Sequence, residues 1–468
     1  MSGDPAFAEA AEIAAAVASR RCSAVTVVEA ALARIARLNP VLNAFTTVTA
    51  ERARARAAAV DAAVAAGEPA GPLVGVPFAV KNLIDVAGLP TLAGSRINRD
   101  LPRAAVDATL VQRLEDAGAV LVGALNMGEY AYDFTGENSH DGPSRNPHDP
   151  SRMTGGSSGG SGAAVAGGLA AITLGSDTNG SIRVPASFCG VFGLKPTYGR
   201  LSRAGSFPFV SSLDHLGPLA RSTRDLALSY DAMQGPDSSD PVCVSRAAEP
   251  ALASLLHGVA GLRIAVAGGH FRRGAEATAV AALDRVAAAL GASAIVELPE
   301  PDRARSAAYV ITTVEGAALH LDRLRRRPGD FDPDVRDRLV AGALIPAPLV
   351  VQAQKFRRWY RDAVLRLFDR FDAILAPTTP CVAPLIGQKS LMLDGKEVLL
   401  RPNIGVYTQP LSFIGLPVVA VPVPGVDGGL PIGVQVVAGP WREEIALRIA
   451  QTLESAGIAR APRPPEIV

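Results

Sequence analysis

The sequence predicts an α/β protein, and three observations carry that expectation. Strand-like and helix-like runs alternate from about residue 73 to the C-terminus. Hydrophobic residues make up 48% of the 468 positions and charged residues only 19%, enough apolar material for a large core and too little charge for a disordered tail. Gly (45) and Pro (36) are abundant, as many turns require. Lys+Arg (46) and Asp+Glu (45) balance to a net charge of +1, which gives no electrostatic reason to expect a nucleic acid or an anionic membrane as partner. Cys22, Cys189, Cys243 and Cys381 form no CxxC pair, which argues against a disulfide scaffold or a zinc knuckle and suits a reducing, cytoplasmic setting.

Residues 8–67 are Ala-rich, with apolar positions at helical spacing, and predict two or three helices on the surface of something larger. Asp4, Glu9 and Glu12 stand where a signal peptide would carry Lys or Arg. LVGVPFAVKNLIDV (73–86) reads as strand, Pro turn and strand, and DATLVQRLEDAGAVLVGALNM (107–127) as helix, Gly stop and strand. QGPDSSDPVC (234–243) has a linker's composition. Beyond it GLRIAVAGG (261–269) opens a second α/β run, with helices near 275–290, 304–327 and 334–370 and strands at 372–377, 416–423 and 433–439. The segment Met153–Ser176 has no charged residue and is long enough to cross a bilayer, but its eight Gly and four Ser leave little apolar surface, so it reads as a loop leading into a tightly packed helix.

Several familiar signatures nearly match. Gly156-Ser157-Ser158-Gly159-Gly160 fits GxSxG, yet the turn-like DPSRMTGG before it lacks the strand that a nucleophile elbow needs. The spacing from Gly175 to Ser181 imitates a P-loop with Ser in place of the phosphate-binding Lys. None of the six His falls in an HExxH-type pattern, so no metal or other cofactor is expected. The strongest chemical signal is residues 153–200: a Gly/Ser loop, a small-residue helix, a strand, and the turn DTNGS. Successive exposed N–H groups at such a turn form a nest for a developing oxyanion. Upstream, Lys81 sits among apolar residues, where a charged amine is costly; it is either neutral or paired with a core carboxylate such as Asp85 or Asp177.

GGSSGGSGAAVA, GSDTNGSIRVPASFCG and VFGLKPTYGRLS together resemble the amidase signature family. The likeness extends over nearly the whole chain, through the lysine segment, TGENSHDGPSRNP, SLDHLGPLARS, ILAPTTP and FIGLPVVAVPV. The resemblance implies one α/β/α domain over 1–468 with a large mixed sheet: N-terminal helices in 1–67, the signature core in 68–233, and an α/β half in 244–468 that completes the sheet. It also implies Ser181 as acyl nucleophile, Ser157 as bridging serine after a cis peptide bond, and Lys81 as base. The backbone of Thr178, Asn179, Gly180 and Ser181 would form the oxyanion hole, with Asp177 and Arg183 as structural support around it. Many members have Gly-Gly before the nucleophile; here Asn179 takes the first position, where Asn tolerates left-handed backbone and its amide should narrow the acyl pocket. RAGSFPFVSSLDHLGPLA, YDAMQGPD and EGAALHLDRLRRRP point within the family to a small urea-like amide bearing a carboxylate, with ammonia released. Tyr309, His320 and Arg338 are the candidates to hold that carboxylate. The same resemblance leaves open a homodimer and a small accessory subunit. It also leaves open the glutaminase subunit of a tRNA-dependent amidotransferase, and a catalytically idle binding protein is the third alternative.

Overall fold

The computed structural model describes residues 5–425 and 428–466; Asp4 and the chain's other outermost positions lie outside them. Eleven strands form one mixed sheet. In chain order they are β1 (Phe45–Val48), β2 (Pro77–Lys81), β3 (Val120–Leu125), β4 (Ile172–Asp177), β5 (Phe192–Lys195), β6 (His215–Ala220), β7 (Ile264–Ala267), β8 (Ala294–Val296), β9 (Ala373–Pro377), β10 (Val418–Val423) and β11 (Ile432–Ala438). Across the sheet the order is β1-β3-β2-β4-β6-β5-β10-β11-β9-β7-β8. Strands β3, β2 and β4 are parallel neighbours, as are β9, β7 and β8, while the strands between them pair antiparallel. The pairing of β5 with β10 joins strands from either side of the 234–243 segment, so one sheet runs through both halves of the chain.

The central strands are near-continuous apolar runs because both faces are covered, as for strands between two helical layers. The helices Arg183–Cys189 and Glu443–Ser455 both pack on β10 and β11. The N-terminal segment yields α1 (Ala10–Ala18), α2 (Ala24–Leu42) and α3 (Ala50–Ala66). It also supplies the edge strand β1, which the Ala-rich pattern hid.

The 73–86 segment differs from its predicted strand–turn–strand. Only Pro77–Lys81 is a strand, and the chain turns at Asn82, leaving Lys81 as the last strand residue. The reading of 107–127 agrees in detail: a helix over Thr109–Asp116, Gly118 at φ +95°, then β3. Met153–Ser176 folds as a loop, a two-turn helix α4 (Gly159–Ala166) and most of β4, all buried in protein. Among the described residues no single helix is long and apolar enough to cross a membrane. The second-half helices include α5 (Pro301–Arg326), which is longer than predicted, and the predicted 334–370 helix, which is split at Leu344–Pro346 into α6 (Pro333–Ala343) and α7 (Ala347–Leu365) because Pro346 cannot continue the ladder.

Candidate active site

Parallel β2 and β4 end side by side, which carries Lys81 to the neighbourhood of Ser176. Lys81 is wholly buried. Its Nζ lies 2.6 Å from Ser157 Oγ and donates to Ser176 Oγ at 2.8 Å. Burial pushes the amine down to about 7, with the charges of Asp177, Asp214 and Asp133 pulling against that fall. The carboxylate partners that the sequence left open are engaged elsewhere. Asp85 accepts from Thr91, and Asp177 is held by Arg183 Nε at 2.9 Å and Nη2 at 3.0 Å.

Ser157 stands at the mouth of α4, after a cis peptide bond from Gly156. Small residues let this loop sit against β4: a Cβ on Gly175 would approach Ser158 Oγ to 2.9 Å. Ser158 itself braces backbone, its Oγ donating to Ser176 O and accepting from Ser176 N, and so does not act as an elbow nucleophile. The N–H of Ser158 donates to Ser181 O at 3.3 Å, tying the Gly/Ser loop to the DTNGS turn.

That turn is fixed at every residue. Thr178 Oγ1 donates to Asp214 Oδ1 at 2.6 Å, and Asn179 O accepts from Thr408 Oγ1 at 2.6 Å. Gly180 has φ +144°, and a Cβ there would fall 2.2 Å from Thr408 Oγ1, so both backbone and space require glycine. The left-handed backbone expected to be tolerated at Asn179 is taken up at Gly180 instead. The amides of Thr178, Asn179, Gly180 and Ser181 are not committed to any carbonyl among the described residues, leaving donors at the turn. Behind it, Arg183 is fully buried and bonds Asp177, Ser412, Gln435 Oε1 and Thr408 O. Its charge holds the Asp177 carboxyl well below the usual range, against the opposing effect of burial.

The turn opens on a cavity of about 430 Å³ lined by Thr178, Asn179, Ser181, Tyr132, Phe134, Tyr309, Thr312, Arg338 and Arg401, among others. Its two arginines differ. Arg401 is matched by Asp133 (2.8 Å), Asp334 (3.1 Å) and Glu137 (3.7 Å). Arg338 lies 3.9 Å over the Tyr132 ring and donates only to the carbonyls of Asp334 and Tyr132, with no carboxylate in ion-pair reach among the described residues. Tyr309 lines the same cavity and donates to Pro402 O. His320 departs from its expected role. It is fully buried, 4.0 Å from the Tyr130 ring and packed by Phe207 and Phe331, and desolvation drives its imidazole down to about 3. Position along the axis explains this: His320 stands on nearly the same face of α5 as Tyr309 but three turns, about 16 Å, further along, past the cavity that Tyr309 and Thr312 border and under the aromatic cluster.

Sequence reasoning missed Ser176, Thr312 and the Arg401–Asp133 pair. Ser176 lies within the motif and was legible there; Thr312 and Arg401 come from distant segments of ordinary composition and carried no local signal.

Residues 26–447 match the Amidase family. The chain is 56% identical over 450 residues to AtzE, a component of the 1-carboxybiuret hydrolase of Pseudomonas sp. (strain ADP), covering 96% of this chain and 98% of that one. It is 40% identical to a glutamyl-tRNA(Gln) amidotransferase component of Azotobacter vinelandii (strain DJ), over 95% and 96% of the two chains. A solved structure described as an unexpected vestigial protein complex that reveals the evolutionary origins of an s-triazine catabolic enzyme superposes with a TM-score of 0.96. It is 55% identical, over 97% of this chain and all of that one. A family match spanning most of the sequence, and likeness of this extent along its whole length, make the chain a member of the amidase signature family, an amidase acting on carbon–nitrogen bonds other than peptide bonds.

Proposed function

We propose that the protein hydrolyses a small carboxylated ureide, such as 1-carboxybiuret, with release of ammonia through a Ser181–Ser157–Lys81 relay. The observation that carries this reading is a wholly buried lysine without a carboxylate partner among the described residues, 2.6 Å from a serine hydroxyl that belongs to the loop bonded to the Ser181 turn. A serine hydroxyl is a poor nucleophile near neutral pH and needs a base within hydrogen-bond reach. When Lys81 is neutral, it keeps an N–H on Ser176 and turns its lone pair to Ser157, so the 2.6 Å contact reverses and the hydroxyl donates. Ser181 then attacks the amide carbonyl, passing its proton through Ser157 to Lys81. The free amides of Thr178, Asn179, Gly180 and Ser181 stabilise the oxyanion. The leaving nitrogen takes the proton back and departs as ammonia, and water entering by the same relay releases the acyl group from Ser181. Arg338, which has no acidic partner among the described residues, supplies the charge that meets the substrate's carboxylate, while Tyr132 orients it from below.

Identity to a 1-carboxybiuret hydrolase component supports the substrate class, and the complex described for the structural neighbour supports a partner protein for this chain, either a small accessory protein or a second copy. The decisive experiment is ammonia release from a panel of small amides and ureides, with glutamine included, combined with labelling by a serine-directed phosphonate. Modification of Ser181 and turnover of carboxylated ureides are expected. Turnover of glutamine alone would assign a glutaminase instead, and no labelling at Ser181 would leave the idle binding protein.

The pH dependence follows from the lysine. Because burial lowers Lys81 to about 7 and the neutral amine is the base, kcat/KM is expected to rise as pH passes through about 7 and to level off above it. A profile that is flat from about pH 5.5 to 9, or that falls with pH, would remove Lys81 from the relay.

A further inference from the structure

Two residues before Ser181, the side chain of Asn179 is only 7% exposed and borders the cavity. Its polar ends are treated unequally. Nδ2 donates to Thr312 Oγ1 at 3.0 Å, and Thr312 is itself buried on α5. Oδ1 is buried and has no hydrogen-bond partner among the described residues. The backbone does not let the residue relax away, since Asn179 O is held by Thr408. The result is an unpaired, buried acceptor oxygen on a cavity-bordering residue two positions before the nucleophile, and a donor on a bound molecule that reaches it would remove its desolvation penalty.

A urea-type substrate differs from an ordinary carboxamide in one respect at this place. The atom joined to the scissile carbonyl on its acyl side is a nitrogen carrying N–H, where a carboxamide has a methylene. We infer that Asn179 Oδ1 accepts a hydrogen bond from that N–H and thereby selects ureides over carboxamides. A methylene in the same position leaves the oxygen buried and unpaired, and a site built around a hydrogen bond rejects the analogue that lacks it more strongly than a merely apolar site can. The inference rests on Ser181 as nucleophile and on small ureides as the substrate class, and it adds the residue that reads that class.

Two substrate pairs differ only by NH against CH2: ureidoacetate with succinamate, and biuret with malonamide. Ureas are intrinsically less electrophilic than amides, so the quantity read is the change between enzymes in the ratio of kcat/KM for ureide to kcat/KM for its methylene partner. Asn179→Ala is expected to lower that ratio by about 10–100-fold in both pairs, with the loss falling on the ureides. Asn179→Asp keeps an acceptor oxygen and should hold the ratio close to that of the wild type, even as its charge slows both members. Thr312→Val leaves Oδ1 in place but unanchored, and should lower the ratio by less than Asn179→Ala. An unchanged ratio in Asn179→Ala overturns the inference and leaves the amidase reading intact. So does an Asn179→Asp ratio as low as that of the alanine variant. Should Asn179→Ala fail to fold by circular dichroism, an unchanged ratio in Thr312→Val overturns the inference in its place. Wild-type enzyme that hydrolyses no member of either pair overturns the inference together with the reading beneath it.

Discussion

Ser181→Ala should reduce turnover to background, and Lys81→Ala should come close to it, with kcat/KM lower by about 10²–10⁴-fold. Members of a relay act as a unit, so the double variant should be scarcely worse than Ser181→Ala alone. The two losses have different physical origins. Without Ser181 no acyl-enzyme forms, and phosphonate labelling disappears. Without Lys81 the nucleophile, the free amides of the turn and the cavity all remain, but the proton of Ser157 has nowhere to go. Ser157→Ala should be milder, because a water molecule can fill the bridging hydroxyl's place. The measurement is steady-state ammonia release on enzyme shown to be folded by circular dichroism. A Lys81→Ala enzyme that keeps most of its activity would make Lys81 a structural residue and leave Ser181 in need of another base.

The second large effect is on stability. Arg183→Met should destabilise the protein by about 3–5 kcal/mol, because it strands the Asp177 carboxylate in a site from which water is excluded. Adding Asp177→Asn should recover a substantial part of that loss, since removing both charges is far less costly than removing one. Denaturant midpoints for the two variants and the wild type give the comparison. An Arg183→Met protein that unfolds at the wild-type midpoint would show that Lys195, the other amine near Asp177, already neutralises it. The pair also sets the turn's shape: Asp177 accepts from Ile182 N, so Arg183 and the start of its helix close around the nucleophile.

The elements legible in the sequence were those with a strong local pattern. β10 and β11 are apolar runs bounded by Pro and Gly, and their limits fall close to the predicted ones. The Gly/Ser loop and DTNGS turn declared their chemistry because glycines at tight approaches and serines at a nest have few other uses. What stayed hidden was set by tertiary context. The edge strand β1 is four residues of FTTV between two long helices, and it is a strand only because β3 lies beside it. His320 looked as available as Tyr309, and it shares that residue's helix face, yet three turns of α5 carry it past the cavity and under an aromatic cluster. Arg401 and Arg338 look alike as isolated cations. Only the fold shows that one is surrounded by three carboxylates and the other by an aromatic ring and two carbonyls.

The steric contrast between adjacent positions 179 and 180 bears on how such an enzyme changes its diet. At 180 any side chain collides with Thr408, whose hydroxyl also holds the preceding carbonyl, so variation there damages the turn that carries the nucleophile. At 179 the backbone is ordinary and the side chain borders the cavity, so a change alters what the acyl group meets while the attacking hydroxyl stays in place. Within the turn, then, one codon is open to innovation and its neighbour tolerates none. A lineage carrying this turn can explore new acyl groups by single substitutions at its third residue without first losing the reaction.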